Sequence, residues 1–132
     1  MKLNISDPKS AKTYSVDADE KTSLNLLGKK MKDEVELSFI TPGLKAVITG
    51  GSDKDGFPMH PTVDSEFRKK LLLKGGVGFK PKKKGERKRK RVAGRIISQN
   101  IQQVNLKIVS GDTKVLVEKY TKVKEEKKED DK

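Results

Sequence analysis

The sequence predicts a mainly β fold: a small β-barrel or barrel-like sheet with one or two short helices, a basic loop or arm, and a disordered C-terminal tail. Three observations carry this expectation. Six or seven short segments show the residue alternation or apolar enrichment of strands. Turn signals such as Asp7-Pro8, Thr41-Pro42-Gly43 and Ser110-Gly111 separate them. The chain has 132 residues, of which only 32% are hydrophobic and 38% charged, enough for one domain with a thin core. Closing the sheet would hide its edges.

From the N-terminus, Leu3 and Ile5 alternate with polar neighbours, Asp7 to Ser10 turns, and Thr13 to Val16 alternates again, so Met1 to Val16 reads as a β-hairpin. Asp17 to Lys21 is polar and reads as a loop. Ser23 caps a short helical turn holding Leu24, Leu26 and Leu27, stopped at Gly28. Glu34 to Ile40 places Val35, Leu37 and Phe39 on one face of a strand. A second strand, Leu44 to Thr49, carries Leu44, Ala46 and Ile48 on one side. Gly50 to Met59 reads as a long loop. A short helix starting at Thr62 or Asp64 would hold Val63 and Phe67 four residues apart. Leu71 to Leu73 is a short buried strand, broken by Gly75, Gly76 and Gly78. Val92 to Ile97 and Ile101 to Val109 resume the strand pattern. Lys114 to Tyr120 is rich in β-branched residues and favours strand over helix. One domain is expected over 1–121, including a basic arm at 80–91, with 122–132 a disordered mixed-charge tail.

The charge is concentrated. Arg68 to Arg95 holds fourteen Lys or Arg residues and one acid, Glu86, a net +13 in a chain whose total is +12. The remaining 104 residues therefore sum to about −1. Like charges at this density repel one another unless a polyanion neutralises them. Long cationic side chains on an open arm suit phosphates, and Arg adds bidentate contacts and stacking. The candidate nucleic-acid contacts are Arg68, Lys69, Lys70, Lys74, Lys80, Lys82, Lys83, Lys84, Arg87, Lys88, Arg89, Lys90, Arg91 and Arg95. A solvated face does not account for adjacent like charges with almost no acid among them. The stretch has too few apolar residues for a membrane-lying helix. A nuclear-import signal would account for Lys88 to Arg91 but not for the preceding lysines.

Other chemistries find little support. Without cysteine there is no disulfide, thiolate metal site or Cys nucleophile. No apolar run reaches the ~20 residues of a membrane span, and the N-terminus lacks a signal-peptide core. A soluble, intracellular protein, monomeric when isolated, is expected. Gly51 and Gly56 have P-loop spacing, but Phe57-Pro58 stands where Lys-Ser/Thr is required. Asp53 and Asp55 resemble part of a calcium loop, but its first and twelfth positions, Gly51 and Thr62, are not acids. His60, the single histidine, reads as a surface or loop residue. Asp53, Asp55, Asp64 and Glu66 read as solvated acids. No catalytic set, metal or cofactor is expected.

Two segments resemble a known family. Gly50 to Met59, GGSDKDGFPM, is similar to a signature of the eukaryotic and archaeal-type small-subunit ribosomal protein six, the "six-e" family. Gly85 to Gly94, GERKRKRVAG, resembles that family's basic segment; MKLNIS and Leu71 to Gly76 also fit. Together these motifs cover roughly Met1 to Val109 in the family's order. The resemblance implies a structural constituent of the small ribosomal subunit, located on cytoplasmic ribosomes, binding ribosomal RNA through a β-barrel-like body and basic extensions beside neighbouring ribosomal proteins. It implies no catalysis and no cofactor. Gly50, Gly51, Asp53, Lys54, Gly56, Phe57, Pro58 and Met59 would form the signature loop. Ser52 departs from the family's frequent Asn, and no serine follows Ser110, so the phosphorylated extension of eukaryotic members is not carried over and the short form looks archaeal. The alternative is a non-ribosomal, DNA-compacting module.

Overall fold

The computed structural model describes residues 1–118 of the chain. Among the described residues, seven strands form two sheets. Lys2–Asp7 (β1), Lys12–Asp17 (β2), Glu34–Glu36 (β3), Lys45–Asp53 (β4) and Ile101–Ser110 (β7) make a five-stranded sheet in the order β2-β1-β7-β4-β3. Lys69–Leu73 (β5) and Lys88–Val92 (β6) make a separate antiparallel pair. The fold is mainly β, as expected. The large sheet is mixed, because β1 runs parallel to β7 while its other pairings are antiparallel. It is not closed into a barrel: β2 and β3 stand at opposite edges.

Alternation decides which face is buried. Leu3 and Ile5 of β1, Ala46 and Ile48 of β4, and Val104, Leu106 and Ile108 of β7 enter one core. In a strand such residues share a face because successive side chains point to opposite sides. Strand β7 lies between β1 and β4, so the core centres on it.

Several boundaries differ from the sequence expectation, each for a local reason. Helix α1 spans Glu20–Leu26 with Asp19 as its N-cap, and Ser23 lies inside it, donating its N–H to the Asp19 carbonyl at 2.9 Å. Strand β3 ends early: the Leu37 carbonyl accepts N–H bonds from Ile40 and Thr41, so the chain turns there and Phe39 is 43% exposed rather than inward. Strand β4 continues through Gly50 and Gly51 to Asp53, so only part of the expected 50–59 loop is a loop. Residues 61–68 form no helix, because the Val63 carbonyl accepts the Arg95 N–H and Val63 is buried while Phe67 faces solvent. Between Val92 and Ile101 no strand forms, only single bridges at Ala93 and Ile96. Residues 114–118 are helical, not extended. The Asp112 carboxylate accepts the Lys114 N–H at 3.0 Å, Val117 donates to the Thr113 carbonyl, and Leu116 enters the main core. The expected tail at 122–132 lies outside the described residues.

A second, smaller core supports the β5–β6 pair. Val63, Leu73, Phe79 and Val92 are buried together, with Leu71 half-buried against them. Leu72, expected inside, is 57% exposed. The reason is register. Leu72 faces Arg89 across the pair, whereas Leu71 and Leu73 lie on the opposite, core-facing side.

Candidate nucleic-acid interface

The basic run is not a free loop. Lys88 to Arg91, expected in an exposed arm, form strand β6 and pair residue by residue with β5. Lys and Arg favour strand less than β-branched residues do, so the local pattern alone favoured a loop. The apolar face of β5, together with Val92, supplies the packing that overrides it.

Register sorts the side chains. Lys69–Val92, Leu71–Lys90 and Leu73–Lys88 share the inner face. Lys90 is half-buried there. Lys70–Arg91 and Leu72–Arg89 share the outer face, and all four are exposed. Lys70 thus stands directly opposite Arg91, a like-charge pair that destabilises an isolated sheet. The 74–87 connection adds Lys74, Lys80, Lys82, Lys83, Lys84 and Arg87, all exposed. It is shaped as well. Gly76 and Phe79 form a bridge that seats Phe79 in the small core. The Glu86 carboxylate accepts the Lys82 and Lys83 N–H groups at 2.8 and 3.4 Å. The one acid of the run therefore folds the turn that presents three lysines.

Both ends of the run are tied down by acids that sequence reasoning had left in solvent. Asp53 is buried. Its Oδ1 accepts N–H bonds from Asp55 (2.9 Å) and Phe57 (3.0 Å), and its Oδ2 accepts Arg68 Nε at 2.6 Å. Arg68 also bonds the Asp55 carboxylate and lies over the Phe57 ring, 4.7 Å from its centroid. Burial pushes the Asp53 carboxyl up, but the Phe57 N–H, the Arg68 guanidinium and the Asp55 N–H outweigh it and hold the group below the usual carboxylate range. At the other end, Arg95 Nε bonds Asp64 at 3.0 Å, which Lys30 also approaches at 3.5 Å. The Arg95 bond lowers the Asp64 pKa from its ordinary value.

Of the fourteen predicted cations, Arg68 and Arg95 thus carry internal counter-charges. Among the described residues, the other twelve form no ion pair. The structure gathers those twelve on one hairpin and sets the two end arginines at its base.

The predicted signature loop couples the two sheets. Met59 donates its N–H to the Gly51 carbonyl, and Ala93 donates to the Pro58 carbonyl at 2.8 Å. The chain just after β6 is thereby hydrogen-bonded to the segment that folds back on β4. Gly51 approaches β7 so closely that a Cβ there would sit 2.2 Å from the Gln103 carbonyl oxygen. Gly50 also lies within β4, Gly56 turns with a φ of 86°, Met59 is buried, and Lys54 is exposed. His60, expected at the surface, is buried with its Nδ1 2.7 Å from Thr62 Oγ1. The missed signal was the alternation of β5 and β6 taken together. Leu71 and Leu73 of β5 and Val92 of β6 fall on one face of the pair, while Lys70, Arg89 and Arg91 fall on the other.

A neutral β body carrying a rigidly based cationic ribbon defines a class of protein built around a polyanion-facing surface. The chain belongs to the ribosomal protein S6e family, whose model matches residues 1–121. It is 44% identical to the small ribosomal subunit protein eS6 of Archaeoglobus fulgidus over 124 residues, 92% of this chain and 95% of that protein. The protein of the same description from Methanoregula boonei is 41% identical over 131 residues, covering 98% of this chain and 92% of the relative. That of Methanocaldococcus jannaschii is 39% identical over 118 residues, covering 89% and 88%.

Proposed function

We propose that this protein is a structural constituent of the small ribosomal subunit and binds its ribosomal RNA through the β5–β6 ribbon. Family membership supports the assembly, and the relatives carry that description. The observation that supports the contact is the outer face: Lys70 beside Arg91, with Arg89 next along and no acid opposite. Bound RNA neutralises the repulsion and releases the counterions condensed on its phosphates. Leu72, between Lys70 and the connection, packs on ribose or base surface between phosphate contacts. The Lys82–Lys84 turn extends the contact along the backbone. The hairpin is already seated on Phe79, Val92 and the Asp53–Arg68 pair, so little ordering entropy opposes binding. The role is non-catalytic, needs no cofactor, and places the protein on ribosomes in the cytoplasm beside other ribosomal proteins.

Sedimentation tests the assembly. The chain is expected at one copy per small subunit after a high-salt wash. Loss in that wash with recovery on nucleoid DNA would overturn the reading in favour of a DNA-compacting module.

A further inference from the structure

The single acid of the basic run is not held by the cations around it. Glu86 stands in a segment of fourteen Lys and Arg residues, yet among the described residues its carboxylate forms no ion pair and is bonded to backbone instead. Its Oε2 accepts the Lys82 N–H at 2.8 Å and, less closely, the Lys83 N–H at 3.4 Å. The turn is closed by the Glu86 N–H, which donates to the Lys83 carbonyl at 3.2 Å, with Gly85 between them at a φ of 82°. Two successive N–H groups thus converge on one anionic oxygen, an arrangement by which backbone also holds phosphate. The turn is built to hold an anion, and one from its own chain occupies it.

That occupant conflicts with a bound polyanion. Lys82, Lys83, Lys84 and Arg87, its neighbours in the chain, are exposed and form no ion pair among the described residues. A polyanion drawn to those cations brings its phosphates up to the Glu86 carboxylate, and like charges at one site repel. A phosphate seated on the Lys82 and Lys83 amides instead keeps both hydrogen bonds, gains the neighbouring cations and releases Glu86 to solvent. The exchange is sterically open, because residues 82–85 are exposed and Glu86 is only half-buried.

We infer that the Lys82 and Lys83 amides form a phosphate site and that Glu86 is its placeholder. In the free protein the carboxylate holds the turn in shape; on binding, a backbone phosphate of the RNA takes its place. The inference rests on the ribosomal-RNA reading and deepens it. Main-chain donors cannot swing as lysine stems do, so this phosphate sets the register of the RNA strand on the ribbon, while the lysines around it supply attraction.

Amide exchange followed by NMR on the full chain, free and saturated with a small-subunit ribosomal RNA fragment, tests this. In free Glu86→Ala the Lys82 and Lys83 amides should exchange faster than in the parent. RNA should slow both at least several-fold, back towards the parent, while the Lys84 amide, which Glu86 does not hold, changes less. Inorganic phosphate at the same phosphate concentration should not restore them. Glu86→Ala and Glu86→Gln should both bind the RNA at least as tightly as the parent. Three results would each overturn the inference: exchange at Lys82 and Lys83 that stays fast in the variant's RNA complex, slowing shared equally by Lys84, or weaker binding by both variants. Restoration by inorganic phosphate would also overturn it, assigning the site to a free anion. All of these leave the RNA reading standing, whereas a parent chain that does not bind the RNA would overturn that reading and the inference with it.

Discussion

Replacing Asp53 by alanine probes the joint on which the ribbon stands. The substitution removes one carboxylate and orphans three donors: the Asp55 and Phe57 N–H groups and Arg68 Nε. Each hydrogen bond to a charged acceptor contributes about 1.5–3 kcal/mol, and geometry shared within one loop makes the three less than additive. Crediting chiefly the two backbone donors gives a cost of about 2–4 kcal/mol. For a domain of this size that lowers Tm by on the order of 10 °C. Differential scanning calorimetry reads it directly. The pH dependence has a fixed sign. Folding depresses the Asp53 pKa below its ordinary value of 3.8, so its contribution is complete above that value and is lost as pH falls through the depressed one. The parent protein should therefore lose more stability than Asp53→Ala between about pH 4 and pH 2. A variant melting within about 1 °C of the parent at neutral pH would refute the anchoring role assigned to Asp53.

Other perturbations separate the parts. Gly94→Ala would put a Cβ 1.6 Å from the Ser65 carbonyl oxygen, a backbone clash that cannot relax locally; a loss of at least about 3 kcal/mol is expected in urea unfolding. Gly85→Ala meets no neighbour and strains only a positive φ of 82°, so about 1 kcal/mol is expected, and a larger loss for Gly85 than for Gly94 would contradict this account. Glu86→Ala should speed hydrogen exchange at the Lys82 and Lys83 amides without moving Tm, because it frees an exposed turn. Leu72→Ala should weaken RNA binding several-fold at every salt concentration with an unchanged salt slope, since an apolar contact releases no counterion.

The large sheet was legible because its signal is local. Leu3, Ile5, Val104, Leu106 and Ile108 alternate within their own strands, and all are buried. The failures share a cause: partners distant in sequence. Strand β6 is held by β5 across a fourteen-residue connection, and nothing within Lys88 to Arg91 announces it. Asp53 looks solvated until Arg68 folds onto it, and residues 114–118 turn helical where Asp112 caps them and the core accepts Leu116. At the site, composition located the charge and two motifs marked the family. What composition could not do was divide fourteen like residues into two that brace the hairpin and twelve left without a counter-charge. That division follows only from which acids lie within reach.

The most direct test of the central claim is the salt dependence of binding to small-subunit ribosomal RNA by the parent chain and by a Lys70→Ala, Arg89→Ala, Arg91→Ala variant. Each phosphate neutralised contributes about 0.7 to 0.9 to the slope of log K against log salt. If the outer face of the ribbon is the contact, the triple variant should lose about 2 to 3 units of slope, while Arg68→Ala, whose charge is spent on Asp53 and Asp55, should lose none. Equal slopes for the triple variant and the parent would contradict the account.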